Sequence, residues 1–315
     1  MILALAGGVG GAKLANGLAR VVDTGGLVIA VNTGDDFRHL GLHISPDLDT
    51  VMYNLAGQNN SEIGWGLAGE TWNFMTALGW LGGPDWFKLG DKDLATHIER
   101  TRRMVAGETL SEVTAALCAR FGVAHKVVPM SDEIVTTLVR TKDRWLPFQE
   151  YFVALRCEPE VSEFRFSGVD LAKSSPGLRA ALESNVLRGI VICPSNPFVS
   201  IDPILAIADV RSLITAWEVP VVAVSPIVGG RAIKGPTLKM MIELGIDPSA
   251  FGVARHYGSI LDGFIIDHID MSMSQDIETL GIQVIAADVV MKNVSDQERL
   301  AGVTLEFLDK IRERR

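Results

Sequence analysis

Four aspartates lie within fifteen residues of one another near the start of the chain. Asp35 and Asp36 belong to the stretch N-T-G-D-D, and Asp47 and Asp49 belong to S-P-D-L-D-T. Each acid has a structural explanation of its own, since T-G-D-D suits a turn, Asp47 suits a helix cap and Asp49 suits the dipole of a first helical turn. Four such acids beside a glycine loop nevertheless favour a Mg²⁺ site over coincidence.

The glycine loop precedes these acids. The chain starts M-I-L-A-L-A-G-G-V-G-G-A-K, so Gly8, Gly10, Gly11 and Lys13 follow a short apolar strand. Backbone N–H groups of such a loop can approach phosphate oxygens at the start of a helix. The loop departs from the dinucleotide fingerprint, because Lys13 stands where a glycine is required and Asn32 stands where the ribose-binding acid is expected. It is not a Walker A loop either, so a tight strand–helix turn and a phosphate site are equally well supported.

Two proline-containing turns occur in the second half of the chain. Ser195 and Asn196 lie in P-S-N-P, and Ser225 and Gly229 lie in S-P-I-V-G-G. Because proline fixes the backbone, each turn is expected to present amide and hydroxyl groups rigidly to a ligand. These residues are therefore candidate ligand contacts.

A polar stretch, L-G-D-K-D-L-A-T-H-I-E-R-T-R-R, predicts a helix that starts at about Asp91. The spacing of Lys92, His97, Arg100 and Arg103 allows them to share one side of that helix. From this pattern alone, a solvated basic face is the better interpretation.

Short β-branched runs alternate with amphipathic segments, a pattern typical of a parallel α/β sheet. The predicted core strands are Ile2–Ala6, Leu27–Val31, Gly189–Ile192, Val221–Val224, Gly263–Ile266 and Gln283–Ala286. Ligands bind at the carboxyl ends of the strands in open sheets of this kind. We therefore predict a Rossmann-like three-layer α/β core whose polar loops form one crevice.

The middle of the chain differs from its two ends. Residues 1-60 and 170-315 are predicted to form the nucleotide-binding core, and residues 61-169 an inserted helical and β subdomain that covers the crevice. Within the insertion, V-T-T-L-V and F-V-A-L-R are predicted strands. The last helix is expected to start at Ser295, with Glu298 completing a capping box. The insertion carries Trp65, Trp72, Trp80 and Trp86.

The composition limits the classes of function. The chain has 315 residues, 48% hydrophobic residues and a formal net charge of −9, which disfavours nucleic-acid binding as the main activity. No apolar run reaches the ~20 residues that a membrane helix requires. The three cysteines form no C-x-x-C pair, which indicates a reducing cytoplasm and not a disulfide framework or a zinc site.

The motifs together resemble the 2-phospho-lactate transferase family of coenzyme F420 biosynthesis. The resemblance spans nearly the whole chain in order, and its motifs are G-G-x-G-G-A-K, N-T-G-D-D, S-P-D-L-D-T, E-T-W-N, L-G-D-K-D-L-A-T-H, P-M-S-D, P-S-N-P, S-P-I-V-G-G and L-D-G-F. It implies a Rossmann-like core with an insertion, Mg²⁺ dependence, a homodimer and a cytoplasmic location.

The resemblance also implies a reaction. Family members transfer a phospho-three-carbon-acid group from a guanosine-diphosphate-activated donor to the ribityl hydroxyl of the deazaflavin Fo, and release GMP. Asp36 and Asp49 match the acids near the metal and the reacting phosphate, with Asp49 as the residue that orients or deprotonates the hydroxyl. Asp91 and His97 lie in the L-G-D-K-D-L-A-T-H motif, and the two proline-containing turns match the guanine-nucleotide side. Relatives use lactyl, enolpyruvyl or glyceryl versions of the donor, so the resemblance leaves the identity of the acid open.

Two other functions remain to be separated from this one. A non-enzymatic relative of similar fold binds UDP-sugars and acts in regulation, and it would bind a nucleotide without turnover. An NAD-type oxidoreductase is disfavoured by the broken fingerprint. Release of GMP from a guanosine-diphosphate-activated donor in the presence of Fo and Mg²⁺ would distinguish the three.

Overall fold

A computed structural model describes residues 1–216 and 219–314. Its strands are β1 (Ile2–Ala6), β2 (Leu27–Val31), β3 (Phe37–His39), β4 (Leu42–Ile44), β5 (Lys126–Pro129), β6 (Thr136–Arg140), β7 (Trp145–Pro147), β8 (Glu163–Ser167), β9 (Gly189–Ile192), β10 (Val221–Val224), β11 (Ile227–Val228), β12 (Arg231–Ala232), β13 (Gly263–Ile266) and β14 (Gln283–Ala286).

The α-helices alternate with the core strands. They are α1 (Gly8–Val21), α2 (Pro46–Leu55), α3 (Asn73–Trp80), α4 (Asp91–Val105), α5 (Leu110–Arg120), α6 (Pro176–Leu182), α7 (Asp202–Leu205), α8 (Ala208–Ala216), α9 (Thr237–Glu243), α10 (Ala250–Tyr257), α11 (Ser274–Glu278) and α12 (Val294–Glu313). Two π-helical turns, Glu150–Ala154 and Pro197–Ile201, and two 3₁₀ turns, Gly258–Ile260 and His268–Met273, complete the described elements.

Seven parallel strands form the central sheet in the order β14-β13-β10-β9-β1-β2-β5. When the strands are numbered by their order along the chain, this is the doubly wound arrangement in which the direction of winding reverses between β1 and β9. Successive residues of β1 face opposite sides, so Leu3 and Leu5 pack in one hydrophobic cluster while Ile2 and Ala4 pack in the other. The predicted Rossmann-like three-layer α/β fold is confirmed, as are the bounds of the six predicted strands.

The segment between the two core portions contains α3, α4, α5 and an antiparallel sheet of order β7-β6-β8. However, β5 lies within the predicted insertion and pairs with β2, so it is the edge strand of the central sheet. The division into a core of 1-60 and 170-315 and an insertion of 61-169 stays a prediction. Strand β5 lies in the predicted insertion but belongs to the central sheet.

Two local predictions were wrong. Phe152–Arg156 was predicted as a strand, but its first residues belong to the π-helical turn Glu150–Ala154. Helix α12 begins at Val294 and not at Ser295, and its capping box joins Asn293 to Asp296. None of the helices in the described part of the chain has the length and apolar character needed to cross a membrane.

Candidate functional site

A cavity of about 600 Å³ lies at the carboxyl ends of the central strands. Its walls include the loop after β1 and the loop after β9, so it lies where the winding of the sheet reverses. This is where open α/β sheets bind ligands. The sequence-predicted site residues that line the cavity are Gly8, Gly10, Lys13, Asp35, Asp47, Asp49, His97, Ser195 and Asn196.

The glycine loop packs against the P-S-N-P turn. Gly8 has a φ of 62°, a left-handed conformation that favours glycine, and α1 begins at this residue. A side chain at Gly10 would collide with the carbonyl oxygen of Pro194. The amide of Gly7 donates to Ser195 Oγ at 3.1 Å. The glycines therefore allow two distant segments of the chain to meet at the cavity wall.

Asp47 is held by the glycine loop and by β2. Its Oδ1 accepts a hydrogen bond from the Gly8 amide at 2.7 Å, and its Oδ2 accepts one from Asn32 Nδ2 at 2.9 Å. Asn32 also donates to the Val199 carbonyl at 3.2 Å, so it ties β2 to the turn after β9. Burial outweighs these hydrogen bonds and raises the pKa of Asp47 to about 6. The predicted ligand contact at Asn32 is thus a residue that orients Asp47.

Asp35 and Asp36 add further negative charge. Burial, followed by repulsion from Asp47 and Asp36, raises the pKa of Asp35 well above its ordinary value. Asp36 Oδ2 accepts a hydrogen bond from Ser45 Oγ at 2.7 Å and lies 3.0 Å from His43 Nε2. Oδ1 of Asp35 and Oδ1 of Asp36 are both buried, and each has no hydrogen-bond partner among residues 1–216 and 219–314. Carboxylate oxygens without a hydrogen-bond partner are ligands of the kind that a hard divalent cation takes.

Asp49 belongs to a second group, which is centred on α4. Both terminal nitrogens of Arg100 contact its carboxylate, and Arg100 is only 1% exposed. His97 Nδ1 lies 3.6 Å from Asp49 Oδ2, and His97 Nε2 lies 3.4 Å from Asp93 Oδ2. Tyr53 Oη donates to Asp93 Oδ1 at 2.7 Å. Burial raises the pKa of Asp49, and the charge of Arg100 opposes that shift.

This second group changes the interpretation of the α4 sequence. His97 and Arg100 are buried against acids, so a solvated basic face was the wrong interpretation of them. Lys92 and Arg103 do lie on the outer part of the helix, where Lys92 Nζ donates to the Ala68 carbonyl and Arg103 pairs with Glu108. The ligand atoms of Asp49, Asp93 and His97 all lie within 4.8 Å of one another. Sequence reasoning missed Asp93, although its spacing of four residues before His97 places the two on one helical face.

Two lysines bring positive charge to the cavity. Lys13 Nζ donates to the Met291 carbonyl at 2.8 Å, and Lys234 lies on the same cavity wall. Burial, followed by the charge of Lys234, lowers the pKa of Lys13. Two cations held close together in a chain of net charge −9 favour an anionic ligand. Sequence reasoning missed Lys234, although it comes directly after R-A-I and only five residues after Gly229.

Four predicted site residues have partners within the protein. Ser225 Oγ donates to the Ile227 carbonyl, and the Gly229 amide donates to Asp270. Gly11 packs against Ser195 Oγ, where a side chain would collide. Asp91 begins α4 and accepts hydrogen bonds from Thr71, Asn73 and Phe74, which lower its pKa to about 2, the Thr71 hydroxyl contributing most. These contacts stabilise the loops that carry the site.

Aromatic side chains form the outer part of the cavity wall. Trp65 and Trp86 both line it, and the rings of Trp65 and Trp72 are 6.2 Å apart. Trp86 also packs edge-on against His39, at a ring distance of 5.1 Å. Trp80 is 86% exposed and lies on α3, whose residues are all at least partly exposed. The cavity thus combines an acidic floor, two lysines and an aromatic wall.

The strand order and this cavity define a Rossmann-like α/β protein with a crevice at the carboxyl ends of its strands. A model of the family 2-phospho-L-lactate transferase CofD matches residues 2–300. The phosphoenolpyruvate transferase of Streptomyces griseus is 42% identical over 317 residues, which cover 99% of each chain. The 2-phospho-L-lactate transferase of Methanosarcina mazei is 35% identical over 305 residues, covering 97% of this chain and 99% of its own.

Among solved structures, a Bacillus halodurans protein of the UPF0052 family superimposes with a TM-score of 0.61 at 14% identity, over 96% of this chain and 98% of its own. At that identity the likeness shows the fold alone. The family match and the two relatives also show to which family the chain belongs. The chain belongs to the CofD family of 2-phospho-L-lactate transferases. It is accordingly an enzyme of this transferase family, which acts in coenzyme F420 biosynthesis, and the resemblance inferred from the motifs is confirmed.

Proposed function

We propose that the protein transfers a phospho-three-carbon-acid group from a guanosine-diphosphate-activated donor to the ribityl hydroxyl of Fo, with release of GMP. The observation that carries this proposal is the single cavity in which two lysines, a group of buried acids and an aromatic wall meet. A diphosphate needs the cations, an in-line phosphoryl transfer needs charge stabilisation, and a deazaflavin ring needs an apolar surface.

The bonds that change define what the residues must do. The hydroxyl oxygen of Fo forms a bond to the phosphorus next to the three-carbon acid, while the bond from that phosphorus to the GMP oxygen breaks. Asp49 lines the cavity, and its burial raises its pKa, so it is our candidate to accept the hydroxyl proton. Arg100 fixes the carboxylate in place. Lys13 and Lys234 are placed to hold the phosphates of the nucleotide.

Mg²⁺ fits Asp35 and Asp36 better than Asp49. Oδ1 of Asp35 and Oδ1 of Asp36 have no hydrogen-bond partner among residues 1–216 and 219–314, whereas Arg100 already contacts both carboxylate oxygens of Asp49. When bound, the ion would stabilise negative charge that develops on the phosphates. We propose Asp35, Asp36 and Asp47 as the residues that hold it.

The identity of the acid carried by the donor is inferred from the names of the two relatives. The Streptomyces griseus relative is named a phosphoenolpyruvate transferase and is 42% identical, whereas the Methanosarcina mazei 2-phospho-L-lactate transferase is 35% identical. We therefore propose the enolpyruvyl donor, with the lactyl and glyceryl donors as poorer substrates. We also propose that the enzyme acts as a cytoplasmic homodimer.

The test is to incubate the protein with Fo, Mg²⁺ and each of the three donors, and to measure GMP. GMP should appear fastest with the enolpyruvyl donor. Asp49→Asn should lower turnover by at least about 100-fold, the loss expected when charge stabilisation or base catalysis is removed. The exposed Asp143, in the turn between β6 and β7, provides the control Asp143→Asn, which should keep the wild-type rate.

Two outcomes would contradict the proposal. Binding of nucleotide without GMP release would favour the regulatory alternative, in which a related fold binds a UDP-sugar and turns nothing over. A folded Asp49→Asn variant with a near-normal rate would remove Asp49 from the mechanism and leave the transfer reaction itself standing.

A further inference from the structure

Gln149 is a buried polar residue for which the proposed transfer assigns no role. It lies at the end of the loop after β7, lines the cavity and is only 6% exposed. Its carboxamide makes no hydrogen bond with any residue in the described ranges, 1–216 and 219–314. A carboxamide on the cavity wall that has no partner in the protein keeps its donor and its acceptor available to a bound ligand.

The backbone around Gln149 holds its side chain at the cavity wall. Gln149 is the residue before the π-helical turn Glu150–Ala154, and it makes no capping hydrogen bond to that turn. Two consecutive non-glycine residues with positive φ, Arg156 at 50° and Cys157 at 57°, follow shortly after the turn. π-Helical turns and backbone conformations of this kind are concentrated at functional sites.

Neighbouring contacts fix this segment against α9. Lys239 Nζ donates to Tyr151 Oη at 3.3 Å and to the Pro159 carbonyl at 2.9 Å. The rings of Phe148 and Phe152 lie 5.3 Å apart and almost parallel, and both line the cavity. Gln149 is therefore a single carboxamide in an otherwise apolar strip of wall, where a flat ring can pack.

Asn196, the other carboxamide that lines the cavity, is used differently. Its Oδ1 accepts a hydrogen bond from the Phe198 amide at 3.0 Å, and its Nδ2 faces the sulfur of Met240 at 3.4 Å. Its acceptor therefore already stabilises the turn Pro197–Ile201. Gln149 retains both a free acceptor and a free donor, side by side in one plane.

We propose that Gln149 determines specificity by pairing with a cyclic –C(=O)–NH– edge of a ligand. Its amide N–H would donate to the ring carbonyl, and its amide oxygen would accept from the ring N–H. This inference rests on the proposed function, in which two ligands carry that edge: the guanine of the donor and the pyrimidinedione ring of Fo. The chemistry recognised is the same in both, and binding measurements distinguish which ligand supplies it.

The experiment measures calorimetric affinities of the full-length protein for GDP and for Fo. Gln149→Leu removes both hydrogen bonds, and Gln149→Glu keeps the shape but removes the donor. Gln149→Leu should weaken the binding of one of the two ligands by about 5- to 150-fold, as expected for the loss of two hydrogen bonds. Gln149→Glu loses only the donor, so it should weaken the binding of the same ligand by a smaller factor, and both variants should bind the other ligand within about 2-fold of wild type. Gln275, an exposed glutamine on α11, provides the control Gln275→Leu, which should change neither affinity.

Ligands with a methylated ring N–H separate recognition from a structural effect. Wild-type protein should bind the methylated form of the recognised ligand, N1-methyl GDP or N3-methyl Fo, as weakly as Gln149→Leu binds the parent. Gln149→Leu should show no further loss with the methylated form, because the contact is already absent.

The outcomes are distinct. A selective loss for GDP assigns Gln149 to guanine, and a selective loss for Fo assigns it to the deazaflavin. Unchanged affinities for both ligands in Gln149→Leu and Gln149→Glu, or losses that methylation does not reproduce, would overturn the inference while leaving the proposed function intact. Failure of wild-type protein to bind either ligand would overturn the proposed function, and this inference with it.

Discussion

The buried pair of Asp49 and Arg100 leads to a prediction about stability that does not depend on the reaction. Arg100 is 1% exposed and Asp49 is 4% exposed, so replacing either one leaves the other as a buried charge without its partner. Arg100→Met and Asp49→Asn should each lower the free energy of unfolding by about 3–5 kcal/mol, the cost measured for breaking such pairs. The double variant buries neither charge alone, and it should lose about 2–3 kcal/mol less than the sum of the two single losses.

The assay is urea unfolding of the four proteins, followed by tryptophan fluorescence and circular dichroism. Glu99 and Arg102 form a control pair on the same helix, with side chains 42% and 65% exposed. The matching changes, Glu99→Gln and Arg102→Met, should show a coupling below about 1 kcal/mol, because exposed ion pairs contribute little. If the losses at Asp49 and Arg100 add to within about 0.5 kcal/mol, the two side chains do not depend on each other and the assignment of Arg100 as the residue that holds Asp49 is refuted.

Three further predictions concern the cavity. The folded pKa of Asp47 is raised from 3.8 to about 6, so the folded state binds this proton more tightly than the unfolded state does. Without metal, the free energy of unfolding should therefore fall by up to about 3 kcal/mol as the pH rises from about 4 to 6. Asp47→Asn should flatten this dependence and Mg²⁺ should restore stability near pH 7, whereas an unchanged slope in the variant would contradict the assignment. Lys13→Met and Lys234→Met should each lower the affinity for GDP by about 10-fold or more in calorimetry, whereas the exposed control Lys142→Met should not change it. Equal affinity for GDP in wild type and the three variants would exclude both lysines from the phosphate site. Fo should quench the fluorescence of Trp65, so the signal should shrink in Trp65→Leu, and a full signal in that variant would place the ring elsewhere.

The central strands could be predicted from sequence because each is a short β-branched run bounded by turn residues. The position of β5 could not be predicted in this way. Lys126–Pro129 is four residues long and ends in proline, which an edge strand tolerates, and only its pairing with β2 shows that it joins the central sheet. The sequences of the neighbouring elements, α5 and β6, do not indicate that pairing.

Two local errors arose where the sequence fits two structures equally well. Asn293 with Asp296 and Ser295 with Glu298 both have the spacing of a capping box, and the structure uses the first pair. Tyr151 is buried and bound to Lys239, a tertiary contact that favours the π-helical turn over the strand predicted from Phe152–Arg156.

The loops of the candidate site were predictable from sequence, but the contacts of Asp49 with His97 and Arg100 were not. The acids and glycines could be identified from motifs, and the structure places most of them on one cavity. The spacing of His97 and Arg100 predicted a shared helical side, but periodicity alone does not show which side faces the protein interior. Only the contacts of α4 with Asp49 on α2 show that these side chains are buried.

The position of β1 at the centre of the sheet has a consequence for biosynthesis. Ile2 pairs with Leu27 on one side and with Gly189 on the other, and α1 packs against α12, which ends at Glu313. Because β9 and α12 are translated after β1 and α1, the surfaces of β1 and α1 stay uncovered until those later segments have been made. Pairings between such distant segments are slow to form. A nascent chain of this protein is expected to expose an incomplete sheet until β9 and α12 have been translated, so chaperone binding during synthesis should centre on the β1–α1 segment.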